Sequence, residues 1–183
     1  FAIERPGLVR ITVTADDIHI GGPVEGETPS RASALADAVA HAGLPCTATD
    51  AIRRDLFAKL LYNCALNPLG ALLGVHYGAL GDDAASREVM DTVIGEVFAV
   101  IAAMDAATHW RTADEYRTVF YGAQIPATYH HRSSMLQDLE AGKRTEVDAL
   151  TGYVAAQGAL LGVPTPVCDT LTRMIRFRER VGG

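Results

Sequence analysis

Hydrophobic and polar positions follow two rhythms along this chain. Over residues 8–20 the period is two: Leu8, Val9, Arg10, Ile11, Thr12, Val13 and Thr14, a polar step through Asp16 and Asp17, then Ile18, His19 and Ile20, stopped by Gly21, Gly22 and Pro23. β-Branched residues at alternating positions, ended by Gly and Pro, predict a small β-hairpin that turns at residues 15–17. Two short strands are not stable alone in water, so this hairpin is expected to pack on a sheet whose other strands lie outside the sequence.

After Gly22 the spacing turns helical and is expected to stay helical to the end. Residues 28–42 carry Leu35 and Val39 and close at Gly43, a residue suited to a left-handed cap. Asp50 opens a longer helix through Leu56, Leu60 and Cys64 towards Leu73, in which Pro68 calls for a kink or a break. A helix after Ser86 buries Val89, Val93, Val97, Val100 and Met104, and Thr112 with Glu115 reads as a capping box for a shorter one. A loop through Ile125 and Pro126 leads to a segment over residues 133–140 and a turn at Gly142. A long helix is expected from Thr145 through Leu150 and Val154 to Gly162, stopped by Pro164 and Pro166. The last, over residues 167–180, places Leu171, Met174 and Ile175 on one face. The helices are expected to pack as one bundle-like domain.

Composition narrows the classes. At 183 residues, with 49% apolar and 21% charged residues, the chain can bury a core. Its net charge of -6 gives no broad attraction to nucleic acid or an anionic membrane. Cys46, Cys64 and Cys168 form neither a CxxC pair nor a ligand cluster and read as free thiols of a reducing cytoplasm. The longest uninterrupted apolar run, residues 97–104, is far short of the ~20 needed to cross a bilayer, so no span is expected. The first ten residues lack the apolar run of a secretory signal and read as a truncated start.

Candidate chemistry concentrates in two places. Lys59, Asn63 and Asn67 recur every fourth residue, so at roughly 100° per residue they lie along one shallow helical stripe and can converge on one small ligand. With Asp55 one step earlier, the same spacing also suits the solvent face of an amphipathic helix. The second place joins Ser133, Ser134, Met135, Gln137 and Asp138 to Thr145, Glu146, Val147 and Asp148. There Thr145 and Asp148 fit a capping arrangement, and Glu146 in a first turn favours the helix dipole whether or not it does chemistry. Adjacent His130 and His131 diverge on regular structure and have no third ligand in the sequence pattern, so no metal is expected. The sequence contains neither a GxGxxG nor a GxxxxGK[ST] phosphate loop, and no GxSxG elbow.

Taken together, the stretches Lys59-x-x-x-Asn63-x-x-x-Asn67-Pro68-Leu69, Ser133-Ser134-Met135-x-Gln137-Asp138 and Thr145-Glu146-Val147-Asp148 resemble the motifs of ketopantoate reductases, also called 2-dehydropantoate 2-reductases. The resemblance implies a mainly α fold: a multi-helix, bundle-like substrate domain over residues 23–183, similar to the C-terminal domain of 6-phosphogluconate dehydrogenase. Residues 1–22 would be the terminal β-hairpin of an otherwise absent Rossmann domain. It also implies NADPH-dependent reduction of 2-dehydropantoate to pantoate in pantothenate and coenzyme A biosynthesis, with NADPH held mainly by that N-terminal domain.

By the same resemblance Lys59 matches the lysine that polarises the ketone and supplies the proton. Glu146 matches the glutamate that orients Lys59 and borders the cofactor. Asn63 and Asn67 match substrate-binding amides, and Ser134 the serine that binds the substrate carboxylate. Where several family members carry Asn-Gly, this chain has Tyr77-Gly78, so a phenol takes the place of a substrate-binding amide. The resemblance implies a cytoplasmic protein able to form a homodimer, with no nucleic-acid or membrane partner, and a chain inactive without the Rossmann domain. Two other readings stand beside it: a reductase of another 2-keto acid on the same fold, and a non-catalytic helical dimerisation module.

Overall fold

A computed structural model describes residues 2–10 and 17–182. The chain divides into two compact units, Phe1–Arg53 and Arg54–Gly183.

In the first unit, strand β1 (Ala2–Arg5) pairs antiparallel with β2 (Leu8–Arg10). Gly7, at φ +81, makes the turn between them, a backbone angle that glycine adopts without strain. Strand β3 (Ile18–Gly21) pairs in parallel with β4 (Cys46–Thr49), and helix α1 (Ser30–His41) connects and packs on both. The hairpin expected over residues 8–20 is therefore corrected. β2 turns back on β1 through Pro6 and Gly7, and β3 takes a parallel partner after a helical crossover, as parallel pairing requires. The expected turn at residues 15–17 lies, apart from Asp17, outside the described residues.

Expected helical spacing throughout residues 23–183 missed β4, a short strand with β-branched Thr47 and Thr49 between Pro45 and Asp50. The change to an all-helical chain consequently falls near residue 53, not after Gly22. Helix α1 buries the small pair Ala32 and Ala36, one turn apart, and leaves Leu35 53% exposed.

The second unit is all helix. Helix α2 (Ile52–Leu73) runs unbroken through Pro68, so of the expected kink or break the break does not occur; the proline forgoes one hydrogen bond to the preceding turn within a segment, Cys64 to Ala71, that is buried throughout. By length and composition α2 is apolar enough to cross a membrane, which the run of residues 97–104 did not anticipate; half of that apolar window is buried inside the fold. Helices α3 (Tyr77–Asp82) and α4 (Ala84–Ala103) follow, with Asp83 between them accepting from the Ser86 N–H at 2.8 Å. Helix α4 is the hub: it packs on α3, α5 (Ala113–Val119), α8 (Thr151–Leu161) and α9 (Pro166–Val181), burying Met90, Val93, Ile94, Val97, Val100 and Ile101.

The capping box of α5 forms with a one-residue offset. Thr112 Oγ1 accepts from the Glu115 N–H, but Glu115 returns its carboxylate to the N–H of Arg111. The expected loop at Ile125 and Pro126 is helical: α5 continues through a π-helical turn, Phe120–Gln124, into α6 (Ile125–Ala127). Helix α7 (Ser134–Glu140) is capped by Ser133. The long helix expected from Thr145 is split into a 3-10 turn, Val147–Ala149, and α8, which ends at left-handed Gly162 as expected. On α9 the buried face is Cys168, Leu171, Thr172 and Ile175, while Met174 is 48% exposed.

Candidate active site

Lys59, Asn63 and Asn67 are successive fourth residues of the continuous α2, so their side chains leave it along one stripe. Burial grades along that stripe: Lys59 is exposed, Asn63 half-buried and Asn67 only 3% exposed. A buried amide requires partners. Tyr77, the first residue of α3, provides one, its hydroxyl donating to Asn67 Oδ1 at 2.7 Å.

Tyr77 is held from several sides. Its N–H donates to the His131 carbonyl at 3.0 Å and the next N–H, of Gly78, to the Tyr129 carbonyl at 2.8 Å, so the segment before α7 satisfies the first turn of α3. The Tyr129 ring lies so close to Gly78 that a Cβ there would stand 2.5 Å from it; any larger residue would displace the ring. The Tyr77 ring meets Tyr62 edge-on at 5.8 Å and His131 at 5.1 Å. Burial pushes the phenol pKa well above its ordinary value, and the charges of Tyr62 and Glu146 add to the rise. The hydroxyl therefore stays protonated and able to donate, with Glu146 in the same electrostatic neighbourhood.

Glu146 stands just before the 3-10 turn, half-buried, and its Oε1 accepts from the Ser134 hydroxyl at 2.9 Å. The two serines of α7 divide their work. Ser133, fully buried, caps the helix at the Leu136 N–H, and Ser134, one residue on and exposed, turns to Glu146.

Of the expected capping of this segment by Thr145 and Asp148, Thr145 keeps a part, its Oγ1 accepting from the Val147 N–H at 3.2 Å, and both residues also clamp on α9. The Thr145 N–H and hydroxyl both donate to Glu179 Oε1 at 2.7 Å, and Asp148 accepts from Arg176 Nε at 2.8 Å. Glu146 is not in the first turn of α8, so the helix-dipole reading gives way to a side-chain partner.

Three stretches far apart in sequence thus supply two hydrogen-bonded pairs, Asn67 with Tyr77 and Ser134 with Glu146, linked by the field between Tyr77 and Glu146. Lys59 and Asn63 join them only through the stripe of α2; among the described residues the Lys59 amine makes no hydrogen bond or ion pair. One turn before Lys59, Asp55 meets His109 Nε2 at 2.5 Å, a partner that no spacing in the sequence announced. Tyr62 and the 129–131 segment were likewise missed; the glycine after Tyr77 was the one local sign of a close approach there. No group of three His, Cys, Asp or Glu among the described residues is arranged to hold a metal ion. A shallow depression of ≈ 470 Å³ at the α8–α9 turn, lined by Ala155, Val163, Pro164 and Asp169 among others, shares no residue with these pairs.

Comparison with known proteins bears on what this arrangement does. Residues 51–179 match the family described as Ketopantoate reductase PanE/ApbA C terminal. The 2-dehydropantoate 2-reductase of Aquifex aeolicus is 41% identical over 177 residues, which is 97% of this chain and 57% of that protein. A PanE/ApbA family ketopantoate reductase from Ralstonia eutropha superposes with a TM-score of 0.74 at 34% identity, over 84% of this chain and 50% of its own. D-mandelate dehydrogenase, solved with NADH and anilino(oxo)acetate, gives 0.76 at 27% identity over 86% of this chain and 50% of its own. The chain spans about half the length of the relatives it matches.

Proposed function

This chain belongs to the ketopantoate reductase family as its C-terminal part, and on that premise we propose that the whole protein reduces 2-dehydropantoate to pantoate with NADPH, a step of pantothenate and coenzyme A biosynthesis. The observation that carries the proposal is the pairing of Ser134 with Glu146 and of Asn67 with Tyr77, which supply an acid, an amide and hydroxyls, with the Glu146 charge felt at Tyr77. Such convergence of polar groups is what binding one small polar ligand requires.

When bound, a nicotinamide cofactor supplies the hydride. Glu146 has acceptor chemistry to offer it: Oε1 is engaged by Ser134, and the second carboxylate oxygen suits a ribose hydroxyl or a carboxamide N–H. The sequence contains no glycine-rich phosphate loop, so contacts to the phosphates are assigned to the N-terminal Rossmann domain of the whole protein. On the substrate side, Lys59 donates to the ketone oxygen and gives up its proton as negative charge develops there. That interaction strengthens towards the transition state and so accelerates the chemical step. Asn63 and Asn67 orient the keto acid, and Ser134 donates to its carboxylate once its one hydroxyl proton turns from Glu146.

Lys59→Ala in the full-length protein tests this reading. General-acid roles contribute typically 10²- to 10⁴-fold, so turnover should fall on the order of 10²-fold or more while the Kd for NADPH is unchanged. Unchanged turnover refutes the assignment.

A second reading, reduction of a different 2-keto acid, is favoured by Tyr77, an aromatic residue where several family members carry an amide. Relative kcat/KM for 2-dehydropantoate and for aromatic and branched 2-keto acids decides between the two. A cytoplasmic location and a homodimer go with the same proposal, and light scattering on the full-length protein measures the latter.

A further inference from the structure

Glu146 does not lie on a helix. It belongs to the connection between α7 and the 3-10 turn, and the residues on either side of it, Thr145 and Val147, send their N–H groups to side chains. Thr145 is common to both bonds. Its N–H and its hydroxyl donate to Glu179 Oε1 at 2.7 Å, and the same hydroxyl oxygen accepts from the Val147 N–H at 3.2 Å, which closes a turn around Glu146. The hydroxyl has one proton, so once that proton is given to Glu179 its lone pairs are free for Val147.

The two ends of this turn are held differently. Val147, 1% exposed, is anchored in the core. Thr145 is held by Glu179, a half-buried residue of the last turns of α9, whose charge makes both bonds of the stronger kind. The other contact of this segment with α9, between Arg176 and Asp148, joins side chains 48% and 55% exposed and is screened by solvent. The Glu146 carboxylate itself has the Ser134 hydroxyl as partner, on an exposed residue. A site residue on irregular backbone keeps its geometry only as far as the groups behind it are fixed.

We propose that Glu179 is a positioning residue for the reaction: by holding Thr145 it fixes the backbone of Glu146, and with it the carboxylate that meets Ser134. The inference rests on the reductase reading above and deepens it. Glu179 acts through Glu146 and needs no contact of its own with substrate or cofactor.

The test is Glu179→Ala in the full-length enzyme, beside Glu179→Gln, whose amide oxygen can still accept both Thr145 bonds. A displacement of about 1 Å at a reacting group can cost about 10²-fold, so kcat/KM for 2-dehydropantoate should fall at least roughly tenfold in Glu179→Ala. Glu179→Gln, with a weaker but intact acceptor, should stay within about threefold of the wild type. In a Glu146→Ala background no carboxylate is left to misplace, and Glu179→Ala should then cost less than about twofold. A general loosening of the domain would multiply the two losses instead. Hydrogen exchange over residues 144–150 reads the support directly and should speed up in Glu179→Ala while α4 keeps its protection. Where Glu179→Ala does not fold, Thr145→Val removes the hydroxyl at nearly constant shape and is read in the same way, with Thr145→Ser as its rescue. Retained activity in Glu179→Ala, losses that multiply, or unchanged exchange over residues 144–150 each overturn the proposal. If the wild-type protein reduces no 2-keto acid, the reductase reading fails. Exchange then tests the support of Glu146 alone: faster exchange over residues 144–150 in Glu179→Ala upholds it, and wild-type exchange there overturns it as well.

Discussion

The carboxylate of Glu96, on α4, accepts a hydrogen bond from the Cys168 N–H at 2.8 Å, and its other oxygen accepts from the Val167 N–H at 2.8 Å. These are the first free donors of α9. Thr165 makes no side-chain cap there, and Pro166 has no N–H to satisfy. A side chain from another helix thus serves as the N-cap, and it places its negative charge at the positive end of a 16-residue helix. At 8% exposure Glu96 is buried but paired.

Glu96→Ala should lower the stability of the helical unit by about 2–3 kcal/mol, since two buried N–H groups lose a charged acceptor. Glu96→Gln keeps one acceptor oxygen and should cost about half as much. Urea unfolding of the two variants measures both, and a full loss for Glu96→Ala beside almost none for the nearly isosteric Glu96→Gln would show that volume rather than charged capping is what counts.

Gly78→Ala should destabilise by about 1–3 kcal/mol, because a Cβ 2.5 Å from the Tyr129 ring forces that ring off Tyr77's helix. Gly122→Ala is the control. No atom lies within 4 Å of a Cβ at Gly122, so its melting temperature should hold or rise.

What the sequence revealed, and what it concealed, follows from the range of the interactions. Helices α4 and α9 were legible because their buried faces repeat at helical spacing, and the stop at Gly162 because a left-handed residue followed by Pro164 is a local signal. Strand β4 was hidden because four residues are too few to show a period, and its parallel partner β3 lies 28 residues upstream. Within the candidate site, the stripe of Lys59, Asn63 and Asn67 was visible from spacing, and the serine and glutamate from motif resemblance. The bonds of Asn67 to Tyr77 and of Asp55 to His109 were not, since each depends on how separate helices meet.

Thiol reactivity should separate the three cysteines. Cys64 and Cys168 are fully buried, and burial pushes both thiols well above their ordinary pKa, at Cys168 with the Glu96 carboxylate adding to the rise. Cys46 is half-buried. A thiol-specific disulfide reagent at pH 8 should therefore label Cys46 alone in the native chain and all three after denaturation. Rapid native labelling of Cys168 would contradict the packing of α9 on α4.

The acid side of the stability profile should carry the mark of His131. Its imidazole, beside the Tyr77 ring, has a pKa lowered from 6.5 by desolvation, so the folded chain binds this proton less readily than the unfolded one. Between the two pKa values the unfolded state holds more protons, and stability rises with pH across that window. The contribution is thus fully present above about pH 6.5 and is lost as pH falls through the lower, folded value. Carboxylates titrate in the same direction at lower pH, so the comparison must be made against His131→Asn, which cannot take up the proton. Urea midpoints at pH 7 and pH 5 should fall further for the wild type than for the variant. Because the His131 carbonyl holds the Tyr77 N–H, the variant's ligand constants should also be measured at pH 7. Unaltered constants there, with a flatter pH profile, would assign the effect to the imidazole proton and not to movement of Tyr77.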